Sequence, residues 1–189
     1  MGSECRSAEL QESFEQAPRC AVQLPAVGQF ELQAMLDHVG YRKVPSLWLS
    51  VTLRTPLPVG GRFDLLMRPQ NIEFWSASDG MDERIDLPAD WPVHQIAKVS
   101  PAGWRPPLGA LREAAGSLID EPSFKELLVS PRGVRIVFRV GGVQRAHYLV
   151  LRALLPDETR IEPELLQPLL DAALRIAASL RITTLEKAA

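Results

Sequence analysis

Apolar and polar positions alternate along much of the chain. Residues 47–55 are the clearest case, with Leu47, Val51 and Leu53 on one side and Ser50, Thr52 and Arg54 on the other, the period-two pattern of a half-buried strand. Residues 30–38 fit two periods: Phe30, Leu32, Ala34 and Leu36 alternate with polar or mixed neighbours, while Leu32, Met35, Leu36 and Val39 fit a helix. The strand is favoured because residues 40–45 return the chain directly into the clear strand. Residues 63–67 and 72–76 read as strands separated by the turn Arg68-Pro-Gln-Asn71, and residues 93–100 read as another.

Three- and four-residue spacing marks the helices. Pro106 and Pro107 suit a helix start, and Leu108, Leu111, Ala115 and Leu118 make its buried stripe, with Gly116 weakening its end. A short helical turn is expected at residues 123–128. Leu166, Leu169, Leu170, Ala173, Ala177 and Leu180 form the stripe of a C-terminal helix over residues 163–181, in which Pro168 marks a later start or a kink. Residues 7–17 offer one further short helix, too short to stand alone.

Between these helices, residues 134–140 and 143–154 flank Gly141-Gly142 and read as a hairpin. A three-residue loop sets Ile136 opposite Tyr148 and Phe138 opposite Ala146, which keeps the apolar groups on one face and gathers Arg135, Arg139, Arg145 and His147 on the other. The expected architecture is α+β: a mainly antiparallel sheet of five to seven strands, a meander plus the C-terminal hairpin, covered on one face by helices that include the C-terminal one. Residues 1–24 are expected to be an appendage, 25–182 a single domain and 183–189 a frayed tail.

Composition adds limits. With 189 residues, 46% of them hydrophobic and 23% charged, the chain has the make-up of one globular domain that needs no metal or disulfide to fold. A formal charge of -2 gives no net pull toward nucleic acid or anionic lipid. Only Lys43, Lys98, Lys125 and Lys187 among the 21 basic residues are lysines; arginine suits paired contacts to carboxylate or phosphate, but codon usage is the favoured account of the bias. Apolar runs are interrupted well short of the about 18 residues a membrane span needs. The start of the chain lacks the basic and apolar regions of a secretory signal, so the cytoplasm is the expected location. Cys5 and Cys20 do not form a disulfide framework.

No chemistry is announced by motif. His38, His94 and His147 lack paired ligand spacing, and the cysteines form no C-x-x-C. Asp79, Asp82, Glu83 and Asp86 do not follow the calcium-loop pattern and read as a solvated turn. There is no nucleophile elbow, and Gly60-Gly61 and Gly141-Gly142 open no phosphate-binding loop. No catalytic residue, metal or cofactor is therefore expected.

What remains is the arginine face. Like charges crowded on one sheet face repel unless solvated, paired with acids or matched to an anion. A solvated face with acids such as Glu158 or Glu162 as partners is the plain account of Arg135, Arg139, Arg145 and His147; a phosphate, a carboxylate or an acidic partner is the functional one. Nucleic acid is not expected, because aromatic platforms beside the arginines are missing. Trp48 and Trp75 each lie opposite the main apolar set of their strands and, if both are exposed, form an interaction patch. The leading expectation is a non-catalytic protein-interaction or assembly module that docks a protein partner or a second copy of itself. The alternative is an enzyme or small-ligand binder that holds an anionic ligand on the arginine face.

Overall fold

The structure, a computed structural model, describes residues 19–36, 46–69, 76–142 and 161–188. Among them the alternating runs become β1 (Arg19–Leu24), β2 (Gly28–Leu36), β3 (Ser46–Arg54), β4 (Arg62–Met67), β5 (Glu83–Ile85), β6 (Gln95–Ser100), β7 (Phe124–Ser130) and β8 (Gly133–Gly142). They form one eight-stranded sheet in the order β1-β2-β3-β8-β7-β4-β6-β5, with every pairing antiparallel. The α+β class and the antiparallel sheet are as the patterning predicts, and the strand count exceeds the expected five to seven.

Two of the additional strands have identifiable causes. The sheet starts at Arg19, inside the expected appendage, because residues 19–24 pair with β2 as an edge strand whose side chains alternate between exposed and half-buried. Residues 124–130 form β7 rather than a helical turn. The β7–β8 register shifts between Phe124 and Glu126, so the extra residue Lys125 breaks the strict alternation that would have identified a strand.

β8 also differs from the expected hairpin. Its neighbours are β3 and β7: Ile136 lies opposite Val51 and Leu127, and Phe138 opposite Leu49 and Phe124. The register of Ile136 with Tyr148 and Phe138 with Ala146 is thus replaced, since both edges of β8 at these positions are taken. The hairpin that does form is β7–β8, closed by Pro131-Arg132. Residues 143–154 and the expected elements at 7–17 and 72–75 lie outside the described residues.

One face of the sheet carries Phe30, Leu49, Val51, Leu53, Phe63, Leu65, Val99, Leu127, Val129, Val134 and Ile136, all buried. Two helices cover it. α1 (Leu108–Ala115) follows the two prolines as expected and stops at Gly116, whose φ of +59° ends the helical path. The Arg112 side chain tethers that end by donating to the Gly116 carbonyl at 2.7 Å. α2 (Pro163–Ala188) packs on α1, β3 and β8, burying Leu169, Ala172, Ala173, Ile176, Ala177 and Leu180. It contains Pro168 at an exposed position and continues past the boundary expected at residue 182. Arg175 Nε donates to the Ala114 carbonyl at 3.1 Å, and Arg181 donates to the Thr55 hydroxyl and the Pro56 carbonyl, fixing the helix over the sheet. No helix among the described residues is long and apolar enough to cross a membrane.

Candidate functional site: an arginine-lined cleft above a buried acid pair

The second face of the sheet is polar, and the strand registers set its side chains in rows. One row runs Glu31, Thr52, Arg135, Leu128, Asp64, Lys98 and Arg84 across β2, β3, β8, β7, β4, β6 and β5. The adjacent row runs Gln33, Ser50, Val137, Glu126, Leu66 and Ile96. Glu126 and Asp64 are therefore diagonal neighbours on adjacent strands, within side-chain reach.

The two ends of this face differ. At one end Trp48 and Val137 pack with Met35 in a small apolar cluster. Trp48 is 7% exposed, and the Lys125 ammonium lies 5.8 Å from its ring centroid. At the other end a cleft of about 580 Å³ opens at the mouth of the β7–β8 turn, lined by Thr52, Arg54, Arg62, Ser130, Arg132 and Arg135 with backbone from Gly133 and its neighbours. No carboxylate lines it among the described residues. The turn is tight because Gly133 has φ +139°, and a Cβ there would fall 1.9 Å from the Leu53 carbonyl oxygen.

The cleft arginines are held differently. Arg54 Nε donates to Glu31 at 2.7 Å from outside the cleft. Arg62 reaches the Gly80 carbonyl at 3.4 Å and Ser100 Oγ at 3.3 Å, both long contacts, and pairs with no carboxylate among the described residues. Arg132, on the turn, is exposed and makes no side-chain hydrogen bond or ion pair among the described residues. Arg135 is half-buried and donates to Glu126 Oε2 at 2.8 Å, while its Nε has no hydrogen-bond partner.

Beneath Arg135 lie Asp64 and Glu126, both fully buried. Neither Asp64 oxygen and only one Glu126 oxygen has a hydrogen-bond partner. Burial, and next the charge of Glu126 beside it, push the Asp64 carboxyl up to about 8, with Ser78 and Arg135 opposing the rise. Near neutral pH Asp64 thus carries a proton, and an O–H between the two carboxyls supplies the donor that the buried oxygens otherwise lack.

Of the residues singled out from sequence, Arg135 lines the cleft. Arg139 is exposed on the same face, opposite Trp48, and does not reach the cleft. Arg145, His147 and Trp75 lie outside the described residues. Trp48 faces away from the helices as expected, but its burial with Met35 and Val137 removes it as an exposed patch. Among the described residues Arg135 pairs with Glu126, while Glu158 lies outside them. Arg54, Arg62 and Arg132 were missed because they lie on three different segments that only the strand order brings together. A lone acid in the apolar run Phe63–Met67 was the available signal for Asp64.

Compared with known protein families, with curated proteins and with solved structures, the chain finds no match in any of the three.

Proposed function

We propose that this chain is a binding module rather than a catalyst, and that it recognises an oxyanion, carboxylate or phosphate, in the arginine-lined cleft. The observation that carries this reading is the convergence of Arg54, Arg62, Arg132 and Arg135 on one concavity whose lining, among the described residues, contains no carboxylate. Guanidinium groups offer planar, paired donors that match carboxylate and phosphate oxygens, and the Thr52 and Ser130 hydroxyls add adaptable donors. Among the described residues the lining holds guanidinium groups and hydroxyls and no carboxylate, thiol or imidazole, so it suits holding a charge better than transforming one. An acidic segment of a protein partner presents the same chemistry as a free small anion, which joins the interaction-module expectation to the anion-binding one.

Calorimetric titration of the full chain with sulfate, with citrate and with a glutamate-rich peptide separates these sources. Binding of any of them is expected to weaken as salt rises and to weaken at least several-fold in Arg132→Ala, whose side chain has no structural partner among the described residues. Selective binding of the peptide assigns a protein partner, and equal binding of citrate assigns a free carboxylate. No saturable binding by any of the three, or binding unchanged in Arg132→Ala and Arg62→Ala together, overturns the reading.

A further inference from the structure

Arg135 belongs to two sites at once. Its guanidinium donates to Glu126 at 2.8 Å, and the residue also lines the cleft beside Arg54, Arg62 and Arg132. The groups facing Asp64 among the described residues are Glu126 from β7, Arg135 from β8, Lys98 directly opposite on β6, and Ser78 from the 3-10 turn Ser78–Gly80. Lys98 is engaged elsewhere, donating from Nζ to the Ser78 carbonyl at 3.0 Å. Among the described residues the cation hydrogen-bonded to the acid pair is thus one that also lines the cleft.

We propose that an anion entering the cleft binds together with a proton on Asp64, and that Arg135 is shared between the buried acid pair and the anion. This rests on the cleft being an anion site. With the proton in place the pair carries a single negative charge, and Arg135 keeps donors for the cleft. When the proton leaves, two buried carboxylates compete with the anion for one guanidinium. Linkage is reciprocal, so the anion that gains from the proton also strengthens the hold on it.

Sulfate is the probe, because it stays a dianion across the range of interest. Titration of the full chain at fixed ionic strength from pH 6.5 to 9.5 is expected to show constant affinity at the acid end and an affinity about tenfold weaker at the alkaline end, within the usual range for coupled sites. Near pH 8, heats measured in two buffers of different ionisation enthalpy should reveal proton uptake with each sulfate bound. Asp64→Asn, a neutral isostere, should bind sulfate at pH 9.5 as tightly as the native chain does at pH 7. If that variant does not fold, the proton uptake of the native chain decides. Sulfate affinity indifferent to pH with no proton uptake overturns the coupling and leaves the cleft standing. A pH dependence that persists in Asp64→Asn overturns the assignment to this pair, and absence of sulfate binding at every pH overturns cleft and coupling together.

Discussion

Val137 and Phe138 are consecutive residues on opposite faces of β8, and both are removed from water, Val137 completely and Phe138 to 7% exposure. Alternation alone places Phe138 in the core and leaves Val137 on an open face, which makes Val137→Asp the milder change. The structure reverses that expectation, because Val137 packs with Trp48 and Met35. Either aspartate would place a charge in a buried position, Val137→Asp directly opposite the buried Glu126, a change in the class that costs about 3–5 kcal/mol when a buried charge is left uncompensated. Val137→Asp and Phe138→Asp are therefore expected to lower the urea midpoint by similar amounts; a Val137→Asp protein with a native midpoint would show that this end of the polar face is wet. Which residues point away from the helices was legible from period-two patterning, as Ser50, Thr52, Arg54 and Arg135 demonstrate. Which of them are buried was not, since sidedness comes from local alternation and burial from what the rest of the chain brings over the face. Asp64 and Glu126 show the same limit, for nothing adjacent in sequence marks two acids on separate strands as partners.

Elements were legible where their pattern is uninterrupted. β3 and α1 appear close to their expected limits, and α2 starts where Pro163 predicts. β7 was not, because a single bulge at Lys125 shifts its inward set from Phe124 to Leu127 and Val129. Strand order was beyond reach as well: the glycine pair at 141–142 is a strong turn signal, yet the turn that β8 uses is Pro131-Arg132-Gly133. Two glycines test this directly. Gly133 lies at φ +139° with the Leu53 carbonyl in the place a Cβ would take, so Gly133→Ala must move β3 or open the turn. Its cost is expected to exceed the about 1 kcal/mol that a change of backbone entropy alone produces. Gly109 is exposed inside α1 with open space where its Cβ would be, so Gly109→Ala should stabilise by about 0.5–1 kcal/mol. Thermal unfolding of the two single variants should move the midpoint in opposite directions. Equal shifts, or a tolerated Gly133→Ala, would mean that the close approach of β8 to β3 at this turn is wrong.

At the scale of the whole molecule, the sheet separates two kinds of interior. The helix-covered face buries apolar side chains, while the polar face buries an acid pair under one arginine, and a buried ionisable pair makes global stability depend on pH. The free-energy difference between folded and unfolded chains of this size is about 5–15 kcal/mol, so one misplaced proton weighs heavily. Asp64 is held at about 8 in the folded protein against 3.8 in its absence, so between these values the folded state binds the proton and the unfolded state does not. Stability therefore falls as pH rises through that window, by about 1.4 kcal/mol per unit where a whole proton separates the two states, and levels off above about 8. The half-buried carboxylate Glu83 shifts the opposite way: the Arg105 side chain, and next the Gly103 amide, hold it below its usual range. Its contribution is present above the ordinary carboxylate range and is lost in acid, outside the Asp64 window. Urea unfolding at pH 5, 6.5, 8 and 9.5 should give midpoints that decline over the first three and hold over the last two. In Asp64→Asn, which keeps the shape and cannot lose a proton, the decline should vanish. Parallel profiles for the native chain and the variant would place the proton elsewhere, and the arginine cleft would then stand above a pair of acids that Arg135 and its neighbours hold fully ionised.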